Sequence, residues 1–119
     1  MPAINDALKS HLSTDREITI TVTGRKTGRA IPVLVWFALD DSTLWLLPVN
    51  GSDTQWYHNV LKSPSIRINA GRSQADFQGV PVTDPTQVSA VVEKFRDKYG
   101  DSGLKYYSKL DVAVLARAR

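Results

Sequence analysis

Two arginines and a lysine fall within six residues, Gly24-Arg25-Lys26-Thr27-Gly28-Arg29, between two segments that both read as β-strands. Arginine presents a planar fork that grips phosphate or carboxylate through two hydrogen bonds, and glycines let backbone N–H groups approach an anion. The chain holds 15 Lys plus Arg against 12 Asp plus Glu, so Arg25, Lys26 and Arg29 equal its whole formal net charge of +3. No acidic residue occurs from Arg25 through Leu39 to neutralise them. The pattern points to an anion clamp; the plainer alternative is a solvated hairpin turn whose glycines serve only the backbone. A phosphate loop of the Walker type needs Gly-Lys-Ser/Thr opening a helix, and neither that order nor GxGxxG occurs, which argues against nucleotide-triphosphate hydrolysis.

A second cluster, Trp56-Tyr57-His58-Asn59, follows closely on Pro48-Val49-Asn50-Gly51. Its aromatics either anchor a helix on the core or form the apolar wall that a flat redox ring needs. Tyr99, Tyr106 and Tyr107 lie in a glycine-interrupted segment that could cover a pocket, where a phenol could hydrogen-bond a substrate or supply a proton; Tyr106 and Tyr107 are the candidate catalytic residues, against the reading that they only pack. His11 and His58 are too few and too isolated for a metal site, and zero cysteines exclude disulfides, thiolate metal centres and a Cys nucleophile.

These residues need positioning elements. Residues 3–12 can form a short helix with Ile4, Leu8 and Leu12 on one face. Residues 17–23 alternate strictly, with Ile18, Ile20 and Val22 on one side and threonines on the other, which predicts a half-buried antiparallel strand. Residues 31–39 and 43–49 are apolar, β-branched runs joined by a turn at Asp40-Asp41-Ser42, giving three strands in meander order. Ser52-Asp53-Thr54-Gln55 has capping-box form and predicts a helix that Ser63-Pro64 ends, whose free N-terminal N–H groups could add to a ligand site although Asp53 would repel an anion. Residues 65–70 and 73–82 predict two further strands about a Gly71-Arg72 turn, with a bulge near Gly79. Asp84-Pro85 opens a helix whose apolar face runs through Val88, Val91, Val92, Phe95 and Tyr99 until Gly100 and Gly103 break it, a further turn falls over 104–109, and residues 111–118 predict a last strand. Six antiparallel strands with two or three peripheral helices are best closed into a small barrel, a mainly β, α+β class.

At 119 residues the chain is expected to be one domain, 1–119. No apolar run reaches the roughly 18 residues that span a bilayer, and no signal-peptide pattern opens the chain, so a soluble, cytoplasmic protein is expected. The basic excess sits in one loop and forms no stripe, which favours a small anionic ligand over nucleic acid.

The succession TGRKTGRAIPV, LLPVNGSDTQWYHNVLKSPSIRI, KYG and YYSKLDVAVL, covering the chain from about Glu17 to its end, resembles the deazaflavin-dependent nitroreductases, split β-barrels that bind coenzyme F420. The resemblance implies a reductase passing a hydride from the reduced deazaflavin to an electron-poor small molecule such as a quinone, an activated alkene or a nitro compound. It implies that Arg25, Lys26, Thr27 and Arg29 hold the phosphate and polyglutamate tail. Pro32, Val33, Leu34, Val49, Asn50 and Gly51 would border the ring, with Trp56 and Tyr57 packed near it. FMN in place of F420, or a non-catalytic carrier of flavin, deazaflavin or haem, is the alternative within the same fold. A homodimer that completes the pocket is a further expectation.

Overall fold

The protein is represented by a computed structural model that describes residues 6–40 and 43–118. Helix α1 (Asp6–Thr14) leads into β1 (Glu17–Thr23), β2 (Ala30–Asp40) and β3 (Thr43–Leu46). After a 3-10 turn at Gly51–Asp53 come α2 (Gln55–Lys62), β4 (Ser65–Ala70), β5 (Ser73–Val82), α3 (Pro85–Leu104) and β6 (Ala113–Ala118). All six strands pair antiparallel in the order β1-β2-β3-β6-β5-β4, and β1 pairs with β4 to close the barrel. Closure leaves every strand two partners, which removes the unpaired edges of an open sheet.

The alternation of β1 explains its place. Ile18, Ile20 and Val22 face inward and are fully buried, joined by Phe37, Leu44, Leu46, Ile66, Ile68 and Phe77 from the other strands. Burying each such side chain contributes about 1.5 to 3 kcal/mol of transfer free energy. Leu8 and Leu12 of α1 join this core, as the four-residue spacing predicts; Ile4 and the Asp41-Ser42 part of the predicted turn lie outside the described residues. A second cluster forms where Val88, Val91, Phe95 and Tyr99 of α3 pack on Ala38, Leu47 and Ala113. Asp84 caps α3, its carboxylate accepting from the Gln87 N–H at 3.0 Å, with Pro85 next in line.

Several features differ from those the sequence predicts. Strand β3 stops at Leu46 rather than Val49, because its ladder with β6 ends at Leu46–Val114 and Pro48 has no N–H to continue one. Helix α2 starts at Gln55, with Thr54 as its N-cap, so no capping box forms at Ser52. The Ser52 N–H and hydroxyl both donate to the Asp111 carboxylate, at 2.9 and 2.6 Å, which occupies the groups expected to be free for a ligand. No bulge occurs at Gly79: β5 keeps continuous register with β4 and then with β6, Gly79 and Pro81 standing opposite the inward Ala116 and Val114, while Val82 is buried on the outer face in the cluster that α3 covers. Glycine is needed there for space, since a Cβ would lie 2.8 Å from both Ile66 Cδ1 and Val60 Cγ1. Helix α3 kinks at Gly100 (φ 79°) and resumes through Leu104 rather than ending, and β6 begins at Ala113 rather than residue 111.

Candidate functional site

The loop from Gly24 to Arg29 joins β1 to β2 and is closed by two backbone hydrogen bonds, Gly28 N–H to Gly24 O and Gly24 N–H to Arg29 O, both 2.8 Å. Gly28 supplies the positive φ of 73° that the turn requires. Helix α2 lies against this loop and holds Arg25 from several sides. The Asn59 side-chain oxygen accepts from the Arg25 backbone N–H at 3.0 Å and from its Nη1 at 2.8 Å. Gln55 Oε1 accepts from Nη2 at 2.7 Å, and Lys62 Nζ donates to the Arg25 carbonyl at 2.9 Å. Gln55 and Asn59 are four residues apart, hence on one face of the helix. Asn59 is only 5% exposed, and a buried amide without partners would cost free energy, so this arrangement satisfies the helix and orients the guanidinium together.

A cleft of about 390 Å³ opens beside this loop, lined by Arg25, Lys26, Thr27, Gln55, Asn59 and the apolar Ile31 among others. A second hollow of about 230 Å³ is lined by Leu34, Trp36, Val49, Tyr106, Tyr107 and Glu17 with further apolar residues. Val33, Thr54 and Trp56 line both, so the two adjoin as one bipartite cleft. The basic loop and the aromatic wall, expected separately from the sequence, thus meet around Val33 and Trp56. Lys26 and Arg29 are exposed, and among the described residues neither side chain has a hydrogen-bond or ion-pair partner. Coulomb attraction from such cations is available to an incoming anion rather than spent internally.

Asn50 and Gly51, which line neither hollow, are tied to the C-terminal segment. Asn50 N–H donates to Thr54 Oγ1 at 2.8 Å, Ser108 Oγ donates to Asn50 Oδ1 at 2.7 Å, and Ser108 N–H donates to Val49 O at 2.9 Å. Gly51 has φ 56°, and a Cβ there would collide with the Asp111 carboxylate. Asp53, expected to repel an anion, faces Lys109 Nζ at 3.4 Å and is partly neutralised by it. Burial pushes the Asp111 carboxyl up, but the Ser52 hydrogen bonds, its own backbone N–H and Lys109 together lower it below its ordinary value.

Of the residues expected from sequence, Arg25, Lys26, Thr27, Val33, Leu34, Val49, Trp56, Tyr106 and Tyr107 line the cleft. Arg29 and Pro32 lie exposed outside its walls, Asn50 and Gly51 line neither hollow although the neighbouring Val49 does, and Tyr57 is buried in the barrel core. Burial raises the Tyr107 phenol well above its ordinary value, so it stays protonated and suits hydrogen-bond donation. Tyr99 reaches neither hollow. Its oxygen accepts from Phe37 N–H at 3.1 Å and lies 2.7 Å from Arg16 O, while its ring stacks on Trp36 with centroids 4.3 Å apart and planes 8° from parallel. Sequence reasoning gave Gln55, Asn59, Thr54, Glu17 and Trp36 no place in a ligand site; the four-residue spacing of Gln55 and Asn59 is the one local signal that could have paired them.

The walls offer what an anionic, flat cofactor requires: fixed and free cations at one end, apolar and aromatic faces at the other, and few polar groups between. Among the described residues, no cluster of His, Cys, Asp and Glu could hold a metal ion.

A family model described as an uncharacterized protein conserved in bacteria (DUF2255) matches residues 9–118. No curated protein matches the chain. Among solved structures, an F420 reductase shares 21% identity over 98% of this chain and 96% of its own, with a TM-score of 0.70. An F420-H2 dependent reductase (FDR-A) shares 16% over 87% and 95%, with a TM-score of 0.69. HutZ, the heme storage protein from Vibrio cholerae, shares 10% over 98% and 91%, with a TM-score of 0.73. At these identities the likeness is one of fold. The split barrel expected from the resemblance to F420-dependent enzymes is borne out, and the same barrel also serves a haem protein.

Proposed function

The chain belongs to the bacterial family DUF2255, and we propose that it is a reductase whose bipartite cleft binds a deazaflavin, coenzyme F420, for use against an electron-poor small molecule. One observation carries this reading: a single cleft brings the cations of the 24–29 loop and the aromatic wall around Trp56 together through shared walls. When bound, the reduced deazaflavin supplies a hydride to an acceptor of the quinone, activated-alkene or nitro class.

The chain's own residues do the rest. Arg25, oriented by Asn59 and Gln55, and Lys26 grip the phosphate-bearing tail, with Thr27 beside them and Arg29 outside the walls adding attraction from solvent. Val33, Leu34, Val49 and Trp56 offer flat apolar surface to a ring and keep water from its face. Tyr106 and Tyr107 present phenols at the same hollow, where an acceptor oxygen could be hydrogen-bonded. Orientation and exclusion of water are contributions a protein makes to cofactor chemistry of this kind.

FMN is the second reading, because its single phosphate suits the same loop. A haem carrier has less support: the described cleft walls include no His, Met or Cys, and the phenols of Tyr106 and Tyr107 are the side chains there left to reach an iron. The test is titration of the purified protein with F420, FMN and haemin, followed by visible spectra. Saturable binding of F420 with oxidation of the reduced form by added menadione supports the proposal. Binding of FMN or haemin alone, or F420 binding with no acceptor reduced across the three classes, sinks it.

A further inference from the structure

Four aromatic side chains, Trp36, Trp56, Tyr106 and Tyr107, line the 230 Å³ hollow, and Glu17 is the only residue among its walls that carries a formal charge at neutral pH. Glu17 sits directly across the β1–β2 ladder from Trp36, so carboxylate and indole lie on one face of the sheet. Among the described residues the carboxylate has no hydrogen-bond or ion-pair partner, and it is exposed to the hollow's mouth. The neighbouring Arg16 does not neutralise it by contact: its guanidinium sits 5.3 Å over the Tyr99 ring, outside the hollow. Trp36 is held flat against Tyr99, and Tyr106, 74% exposed, meets it nearly at right angles with centroids 5.8 Å apart. Aromatic faces carry negative potential and attract cations, most strongly where rings meet at an angle around a small space.

We propose that this hollow binds a small planar organic cation, of the N-alkylated heteroaromatic or iminium class. The opposite sign of the two ends then separates two ligands: the basic loop takes the anionic tail, and the Glu17 end takes the cation. The binding claim stands on the hollow alone; only its chemical consequence rests on the reductase reading. A hydride added to carbon of a C=N⁺ unit forms a C–H bond while the π pair moves onto nitrogen, so the product is neutral and no proton is consumed. When bound, the reduced deazaflavin would supply that hydride, and the proton released with it would pass to solvent. A strong acid in the hollow is unnecessary for such an acceptor, in keeping with phenols as its only acids besides Glu17. The neutral product loses its attraction to Glu17 and leaves.

The test needs no cofactor. Trp36 and Trp56 line the hollow, so quenching of tryptophan fluorescence reads binding of N-methylquinolinium against its uncharged near-isostere quinoline at pH 8. The cation is expected to bind about five- to thirtyfold tighter. Glu17→Gln should cut the preference by about threefold or more, leaving the part the rings supply, while Asp76→Asn, which removes an equal charge on β5 away from the cleft, should leave the preference intact. Equal affinities in the unaltered protein, or a preference that Glu17→Gln leaves unchanged, overturns the proposal. Because F420 titration is scored separately, loss of the cation preference with F420 still bound rejects this inference alone, and the reverse rejects only the reductase reading.

Discussion

At the basic end of the cleft a loop is fixed by hydrogen bonds, with Arg25 held between Asn59 and Gln55 of α2. At the other end the rings of Trp36, Tyr106 and Tyr107 are fixed by packing on α3 and the turns that follow its kink at Gly100. Polar fixing places a charge to within a bond length but adds little net stability, because folding exchanges hydrogen bonds with water for internal ones. Aromatic packing contributes more stability and less direction. The comparison predicts that damage at the aromatic end unfolds the protein, whereas damage at the basic end spares the fold and costs ligand affinity.

The largest expected effect is Tyr99→Ala. It removes a buried ring, the stacking partner of Trp36 and the hydrogen bond to Phe37 N–H, and should cost about 3 to 5 kcal/mol in urea unfolding. A cost below about 1 kcal/mol, the range of exposed pairs, would erase the distinction between the two ends. Arg25→Ala is next: calorimetric titration should show about 1.5 to 3 kcal/mol of lost F420 affinity, with the melting temperature nearly unchanged. Unaltered affinity would remove the loop from the binding scheme.

Asn59→Asp sharpens the same contrast. The carboxylate can still accept from both Arg25 donors, so stability should hold or rise, yet its charge cancels that of Arg25 and F420 affinity should fall about tenfold. Equal losses of stability and affinity would mean that Asn59 serves the fold alone.

The smallest effect concerns pH. Burial lowers Lys98 to about 8, its Nζ lying over the Phe37 ring and donating to Phe37 O at 3.0 Å. A lysine depressed on folding binds protons more readily when unfolded, so its penalty is fully present below pH about 8 and is relieved as pH rises towards its ordinary value of 10.5. Tyr99 acts oppositely, since burial raises it to about 12 and its unfolded form ionises first above pH 10. Stability should therefore climb gently above pH 8 and turn down above pH 10. Lys98→Met should flatten the climb in melts across that range, and a climb that persists would assign it elsewhere.

Much of the barrel was legible because its signals are local. The alternation of Ile18, Ile20 and Val22 predicts a strand with one buried face, and Asp84-Pro85 predicts the start of α3, whatever packs around them. The capping box at Ser52 failed for the converse reason: Asp111, 59 residues away, takes the Ser52 hydroxyl and N–H that the local rule assigns to the helix. The apparent phase slip near Gly79 reads as a bulge in one dimension, but Val82 is buried because α3 covers the outer face of the barrel there.

The amino-acid sequence alone determined where the net positive charge sits, because covalent order concentrates three cations in one loop and no folding step can dilute them. It likewise set the strands and their buried faces through side-chain period. Only the tertiary structure decided that Arg25 is oriented by an amide 34 positions away and that Tyr106 meets Trp36 beside Glu17. Those placements depend on barrel closure and on the packing of α2 and α3, which bring together residues whose spacing along the chain carries no trace of their contact.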